Sequence, residues 1–123
     1  MKKHLIGLVH NVPPSGLYSF FEASSDVMTQ VAAIEDALRS LGHSSRRIPF
    51  SKDVGAFLAT LRGEPVDLIF NLCETVDEDP LFSGHAAALL DLLGIPFTGS
   101  PSWAITYTMD KVTTKRILKA CGI

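Results

Sequence analysis

The sequence predicts a single α/β domain with a doubly wound, mainly parallel sheet of about four strands and helices on both faces. Its length is the first indication, because 123 residues of which 46% are hydrophobic can bury one core but not two ordinary domains. The second is the order of its segments, since short apolar runs alternate with longer runs whose apolar residues recur every three or four positions. This alternation is typical of strand–helix–strand units with parallel strands.

The first half of the chain predicts two strands and the helix between them. Residues 5–9 are an apolar run too short for a helix, and the prolines and glycine that follow predict a long loop. A helix is predicted from a cap at Ser25 to a stop at Gly42, because its apolar residues share one face. Residues 44–50 predict the second strand, and its pair of arginines favours an edge of the sheet.

The second half continues the alternation. The predicted elements are a helix capped at Ser51, a strand at 66–72, a helix capped at Asp79, a short strand at 95–99 and a helix at about 110–121. The Gly63-Glu64-Pro65 stretch and Gly94 are predicted to end the two helices that precede the third and fourth strands. The predicted core includes Leu8, Val9, Ile69, Phe70 and Leu89.

Composition excludes several functional classes. Eleven Lys and Arg against thirteen Asp and Glu leave a formal charge of −2, so no basic field predicts a nucleic-acid or anionic-membrane partner. No apolar run is long enough for a membrane span or a signal peptide, which predicts a cytoplasmic protein. The two cysteines are predicted to be buried free thiols. Neither GxGxxG after the first strand nor GxxxxGK[ST] is present, which argues against dinucleotide and P-loop sites.

Ligands of such sheets bind outside the carboxyl ends of the strands, so the loops beginning at His10, Leu72 and Thr98 are the predicted binding region. Glu74 directly follows a strand and is a candidate carboxylate for a substrate ammonium group. Cys73 could be a thiol nucleophile, although packing is the favoured interpretation. The acidic residues around Glu74 lack the ligand spacing of a calcium loop, and no metal site is predicted.

Lys111 lies at the predicted start of the last helix. Free amide groups and the helix dipole there can join its ammonium in holding a phosphate, whereas the alternative is an ordinary solvated lysine.

Three stretches of the chain resemble D-alanine–D-alanine ligases of the ATP-grasp family. They are DLIFNLCE at 67–74, LLGIPFTGS at 92–100 and MDK at 109–111. The resemblance implies an amino-terminal pre-ATP-grasp domain at residues 1–100, with a Rossmann-like fold. Residues 101–123 would then be a connecting helical segment that leads to a central ATP-grasp domain absent from this chain. It also implies that the complete enzyme uses ATP and Mg²⁺ to activate a carboxylate as an acyl phosphate, which an amine then attacks.

The resemblance assigns roles to individual residues. Lys111 would contact an ATP phosphate, and Glu74, with Asp26 and Glu22 as further candidates, would bind an amino acid or a related carboxylate substrate. This chain alone would contain no catalytic residue, bind neither ATP nor Mg²⁺ and be inactive. A homodimer is compatible with the sequence. The alternative is a non-catalytic α/β module for binding or dimerisation.

Overall fold

The computed structural model describes residues 1–12 and 21–123, with the side chains of 21–25 outside the description. Its sheet contains three parallel strands, β1 (Leu5–Asn11), β2 (Ser44–Phe50) and β3 (Leu68–Leu72). Their order is β2-β1-β3, so β1 is central and β2 is an edge strand, as its arginines predicted. The α/β class and the mainly parallel sheet are confirmed.

The described residues also form α-helices. They are α1 (Phe21–Ser40), α2 (Val54–Gly63), α3 (His85–Leu93), α4 (Ser102–Met109) and α5 (Lys111–Ala120), with a 3-10 turn at Pro80–Phe82. Within the described ranges, no helix is long and apolar enough to cross a membrane.

Both faces of the sheet carry a core, because successive side chains of a strand point to opposite faces. Leu8 packs on one side with Val31 of α1. Its neighbour Val9 packs on the other side with Phe57 of α2 and Leu90 of α3. The predicted helices on both faces are therefore confirmed.

The predicted fourth strand at 95–99 is reduced to a single parallel bridge. Phe97 pairs with Ile69: the Ile69 amide donates to the Pro96 carbonyl, and the Thr98 amide donates to the Ile69 carbonyl, both at 2.9 Å. Pro96 has no N–H to extend the pairing, and Gly99 turns the chain away with a φ of +98°. The sheet therefore has three strands and one bridged segment.

Several predicted helix starts are wrong. The first helix begins at Phe21 rather than Ser25. The α2 cap is Asp53, whose carboxylate accepts from the Ala56 amide at 2.9 Å, while the Ser51 hydroxyl accepts from the Asp53 amide. Asp79 does act as a cap, but for the 3-10 turn, where it accepts from the Leu81 amide. The predicted stops are confirmed, since Gly42 and Gly94 both have positive φ.

The core prediction is confirmed for Leu8, Val9 and Ile69, which are fully buried. Phe70 and Leu89 are only half-buried and pack against the edges of the two cores. Both cysteines are free thiols as predicted, and Cys73 is buried, but the predicted burial is wrong for Cys121, which is exposed at the end of α5.

Candidate functional site

The carboxyl ends of β1 and β3 meet at the point where the strand order reverses. From β1 the chain passes to β2 on one side and then to β3 on the other. In α/β sheets a crevice for ligands lies at such a switch point. Here the side-chain oxygen of Asn11, the last residue of β1, accepts from the Glu74 amide at 3.4 Å. This bond ties the loop after β3 to the end of β1.

Two further hydrogen bonds, both made by Asn71, hold the loop that follows β3 and the loop that begins at Thr98. The Asn71 amide donates to the Thr98 hydroxyl at 3.1 Å, and the Asn71 side-chain oxygen accepts from the Cys73 amide at 3.2 Å. The loops that begin at Leu72 and Thr98 are thus fixed beside each other. Sequence reasoning missed the part played by Asn11 and Asn71, although short amide side chains at strand ends commonly bond to nearby backbone.

Glu74 is exposed at this edge of the sheet. Its backbone is held by Asn11, yet within the described residues its carboxylate has no hydrogen-bond or ion-pair partner. An exposed, unpaired carboxylate on a fixed backbone is suited to receiving a cationic group from solution.

The other two acidic candidates lie on α1. Asp26 is exposed in the second turn of this helix, and no hydrogen bond links it to Glu74 in the described part of the chain. Glu22 belongs to the first turn of α1, but its side chain lies outside the described residues. Of the three acidic candidates, Glu74 is the one whose backbone the described hydrogen bonds tie to the end of β1.

Cys73 is not an activated nucleophile. Burial, helped by the negative charge of Glu74, raises the pKa of the Cys73 thiol to about 12. Its sulfur donates a hydrogen bond to the Thr75 carbonyl at 3.4 Å. A thiol with so high a pKa stays protonated near neutral pH, which favours the packing interpretation.

Lys111 is the first residue of α5 and is exposed. The preceding Asp110 caps this helix, since its carboxylate accepts from the Val112 and Thr113 amides at 3.1 and 3.0 Å. The Thr113 hydroxyl also donates to it, and these bonds, the hydroxyl's first, lower the pKa of Asp110. The expectation that free amides would help to hold a phosphate is therefore wrong for Val112 and Thr113. This leaves the Lys111 ammonium as the group that could contact a phosphate.

The acidic loop after Glu74 forms a tight turn. Val76 and Asp79 pair across it, and Asp77 and Glu78 between them both have positive φ. Across residues 1–12 and 26–123, no three His, Cys, Asp or Glu side chains are grouped to hold a metal ion.

Comparison with known proteins gives three representative relatives. Over 92 residues the chain is 37% identical to the D-alanine–D-alanine ligase of Moorella thermoacetica, an alignment covering 75% of this chain and 28% of that protein. The enzyme of Sinorhizobium fredii is 39% identical over 93 residues, covering 75% and 28%, and that of Aquifex aeolicus is 35% identical over 91, covering 74% and 29%. This chain is related to the D-alanine–D-alanine ligases.

The resemblance to these ligases is thus confirmed across three quarters of the chain. The chain spans less than a third of the length of these ligases. No family model matches it, and no solved structure matches it. Among the described residues, no hydrogen bond or ion pair joins Glu74 to Lys111.

Proposed function

We propose that the complete protein is an ATP-dependent carboxylate–amine ligase that forms a peptide bond, and that this chain is its amino-terminal, substrate-side domain. The observation that carries this proposal is the identity of 35–39% to several D-alanine–D-alanine ligases over about three quarters of the chain. Residues 1–100 would form the pre-ATP-grasp domain, and residues 101–123 would connect it to the domain that binds ATP.

The packing of the last two helices supports such a connection. α4 packs on α3, and α5 packs on α4. Two large apolar side chains of α4 remain exposed, Trp103 at 65% and Tyr107 at 53%. Exposed aromatic groups on neighbouring turns are typical of a surface that further protein covers.

The proposed reaction has two steps. The γ-phosphoryl group of ATP passes to a substrate carboxylate, which gives an acyl phosphate and ADP. The amine of the second substrate then attacks the acyl carbon, the amide bond forms and phosphate leaves. Such catalysis depends on positioning and on neutralising the charge of the phosphoryl group. Bound Mg²⁺ would supply part of that neutralisation in the complete protein, where residues outside this chain would hold it.

Glu74 would bind the ammonium group of the first amino acid. Its exposed carboxylate, its fixed backbone and its place at the switch point support this role. Asp26 and Glu22 remain proposed as further acids for the same substrate, and Lys111 as a contact for an ATP phosphate.

The proposed activity can be tested by measuring phosphate release from the full-length protein. We expect release only when ATP, Mg²⁺ and an amino acid are all present, together with a dipeptide product detected by mass spectrometry. The 123-residue chain alone should release no phosphate and bind no ATP, because the proposed ATP domain is missing. Phosphate release without an amide product, or micromolar ATP binding by the isolated chain in calorimetry, would contradict the proposal.

Replacing Glu74 by Gln in the full-length enzyme should raise the KM for the first amino acid and lower kcat/KM about 10-fold to 100-fold. That range corresponds to the loss of one charge-assisted hydrogen bond, roughly 1.5–3 kcal/mol. Steady-state kinetics with the amino acid varied provide the measurement. Glu78→Gln is the matched control, since it removes an exposed carboxylate from the same loop. Equal kinetics for the two variants would remove Glu74 from the substrate site.

A further inference from the structure

A cavity of about 260 Å³ lies beyond the carboxyl end of β2, on the α2 and α3 side of the sheet. Its apolar walls come from four side chains on two stretches of the chain, 50–54 and 76–82. They are Phe50, Val54, Val76 and Phe82. This cavity is distinct from the contact between Asn11 and Glu74, because neither of these residues lines it.

The deep part of the cavity is formed by buried, packed side chains. Phe50 is 1% exposed and Val76 is 3% exposed. The Phe50 ring also meets the Phe57 ring of α2 edge-to-face, with centroids 4.8 Å apart. Aromatic and branched walls of this kind favour a flat ring or a branched apolar group.

The polar groups at the cavity are cationic or neutral. The Lys52 ammonium lies 5.4 Å from the centre of the Phe82 ring, and no acidic side chain of the described residues pairs with it. His85 also lines the cavity, and its Nδ1 lies 3.1 Å from the Phe82 carbonyl. Because a carbonyl oxygen can only accept, this bond requires that Nδ1 carry a hydrogen.

The acidic residues nearest in sequence to Lys52 and Phe82 do not line the cavity. Asp53 and Asp79 instead accept from the Ala56 and Leu81 amides, each at 2.9 Å. The amino end of α3, which begins at His85, has no side-chain cap and no acidic residue in its first turn. A carboxylate at the rim would therefore meet the Lys52 ammonium and the positive end of α3.

We propose that this cavity binds a short carboxylic acid that bears one aromatic ring. The ring lies against Val54 and Phe82, above the buried floor of Phe50 and Val76, and the carboxylate pairs with Lys52 at the rim. The proposal does not rest on the ligase function, because it concerns binding by this chain alone.

The test is a titration of the ¹⁵N-labelled chain, followed by amide chemical shifts, with three matched probes. They are 3-phenylpropionate, its uncharged amide and propionate, which lacks the ring. We expect 3-phenylpropionate to shift amides at 51–54, 76 and 82–85. The other two probes should bind about 10-fold more weakly or worse, since each lacks one of the two recognised groups.

Two lysine variants distinguish specific binding at the cavity from nonspecific attraction of the anionic probe to positive charge. Lys52→Gln should weaken 3-phenylpropionate binding about 10-fold, because it removes the charge-assisted contact, whereas Lys3→Gln, at the exposed amino terminus, should not change it. Equal affinity for the acid and its amide would overturn the proposal. So would shifts centred on Trp103 in the neighbouring cavity between α3 and α4, which shares His85 with this one, or no shift at probe concentrations up to about 10 mM.

Discussion

Replacing Leu90 by Ala is expected to lower the free energy of unfolding by about 2–5 kcal/mol. Leu90 is fully buried in α3 and belongs to the same core as Ile69 of β3 and Phe57 of α2. Its helical neighbours Ala86 and Ala87 are too small to fill the space that the lost side chain leaves. A cavity should therefore remain between α3 and the sheet.

Urea denaturation followed by circular dichroism measures this loss. Leu92→Ala is the matched control, because Leu92 lies in the same helix and is 83% exposed, so its free energy of unfolding should change by less than about 0.5 kcal/mol. Leu89, which is half-buried, should fall between the two. A loss at Leu90 as small as that at Leu92 would mean that α3 does not pack its Leu90 face on the sheet.

These three leucines also show which features of α3 the sequence can predict and which it cannot. The run from Ala86 to Leu90 is apolar at every position, so it predicts a buried helix but not which face the helix buries. Gly94 ends α3 as predicted, because a positive φ suits glycine and interrupts the helix. Local chemistry therefore gave the end of the helix, whereas tertiary packing selected Leu90 over Leu89.

The same division holds for the sheet. The arginines of β2 predicted its edge position, and one of them explains how the edge is secured: Arg47 forms two hydrogen bonds with Glu35 of α1, at 2.8 and 2.6 Å. The predicted fourth strand is reduced to the Phe97 bridge because Pro96 has no N–H to donate to a neighbouring strand. The apolar residues beside Pro96 predicted a strand but cannot replace that hydrogen bond.

At the candidate site, strand ends were predictable and contacts were not. Glu74 directly follows β3, so the sequence alone placed it at the carboxyl edge of the sheet. The bond from its amide to Asn11 joins residues 63 positions apart, which no local pattern reveals. At the start of α5, Asp110 accepts hydrogen bonds from two of the amides that were expected to be free for a phosphate.

Replacing Lys111 by Ala in the full-length enzyme is expected to lower kcat/KM for ATP about 10-fold to 100-fold. With the Val112 and Thr113 amides held by Asp110, the proposed phosphate contact depends on the Lys111 ammonium itself. Losing one charge-assisted contact costs roughly 1.5–3 kcal/mol, which corresponds to that range. The fold should persist, because Lys111 is exposed and the Asp110 cap does not involve its side chain.

Steady-state kinetics with ATP varied, together with a melting curve of each variant, test the role of Lys111. Lys115→Ala is the matched control, since Lys115 is an exposed lysine one turn further along α5. If Lys111 contacts a phosphate, only its own replacement lowers kcat/KM for ATP, and both variants melt at the temperature of the unmodified enzyme. If Lys111 is instead an ordinary solvated lysine, kcat/KM for ATP of the Lys111 variant should stay within about twofold of the unmodified enzyme. A twofold change corresponds to only about 0.4 kcal/mol, which is too small for a lost ionic contact.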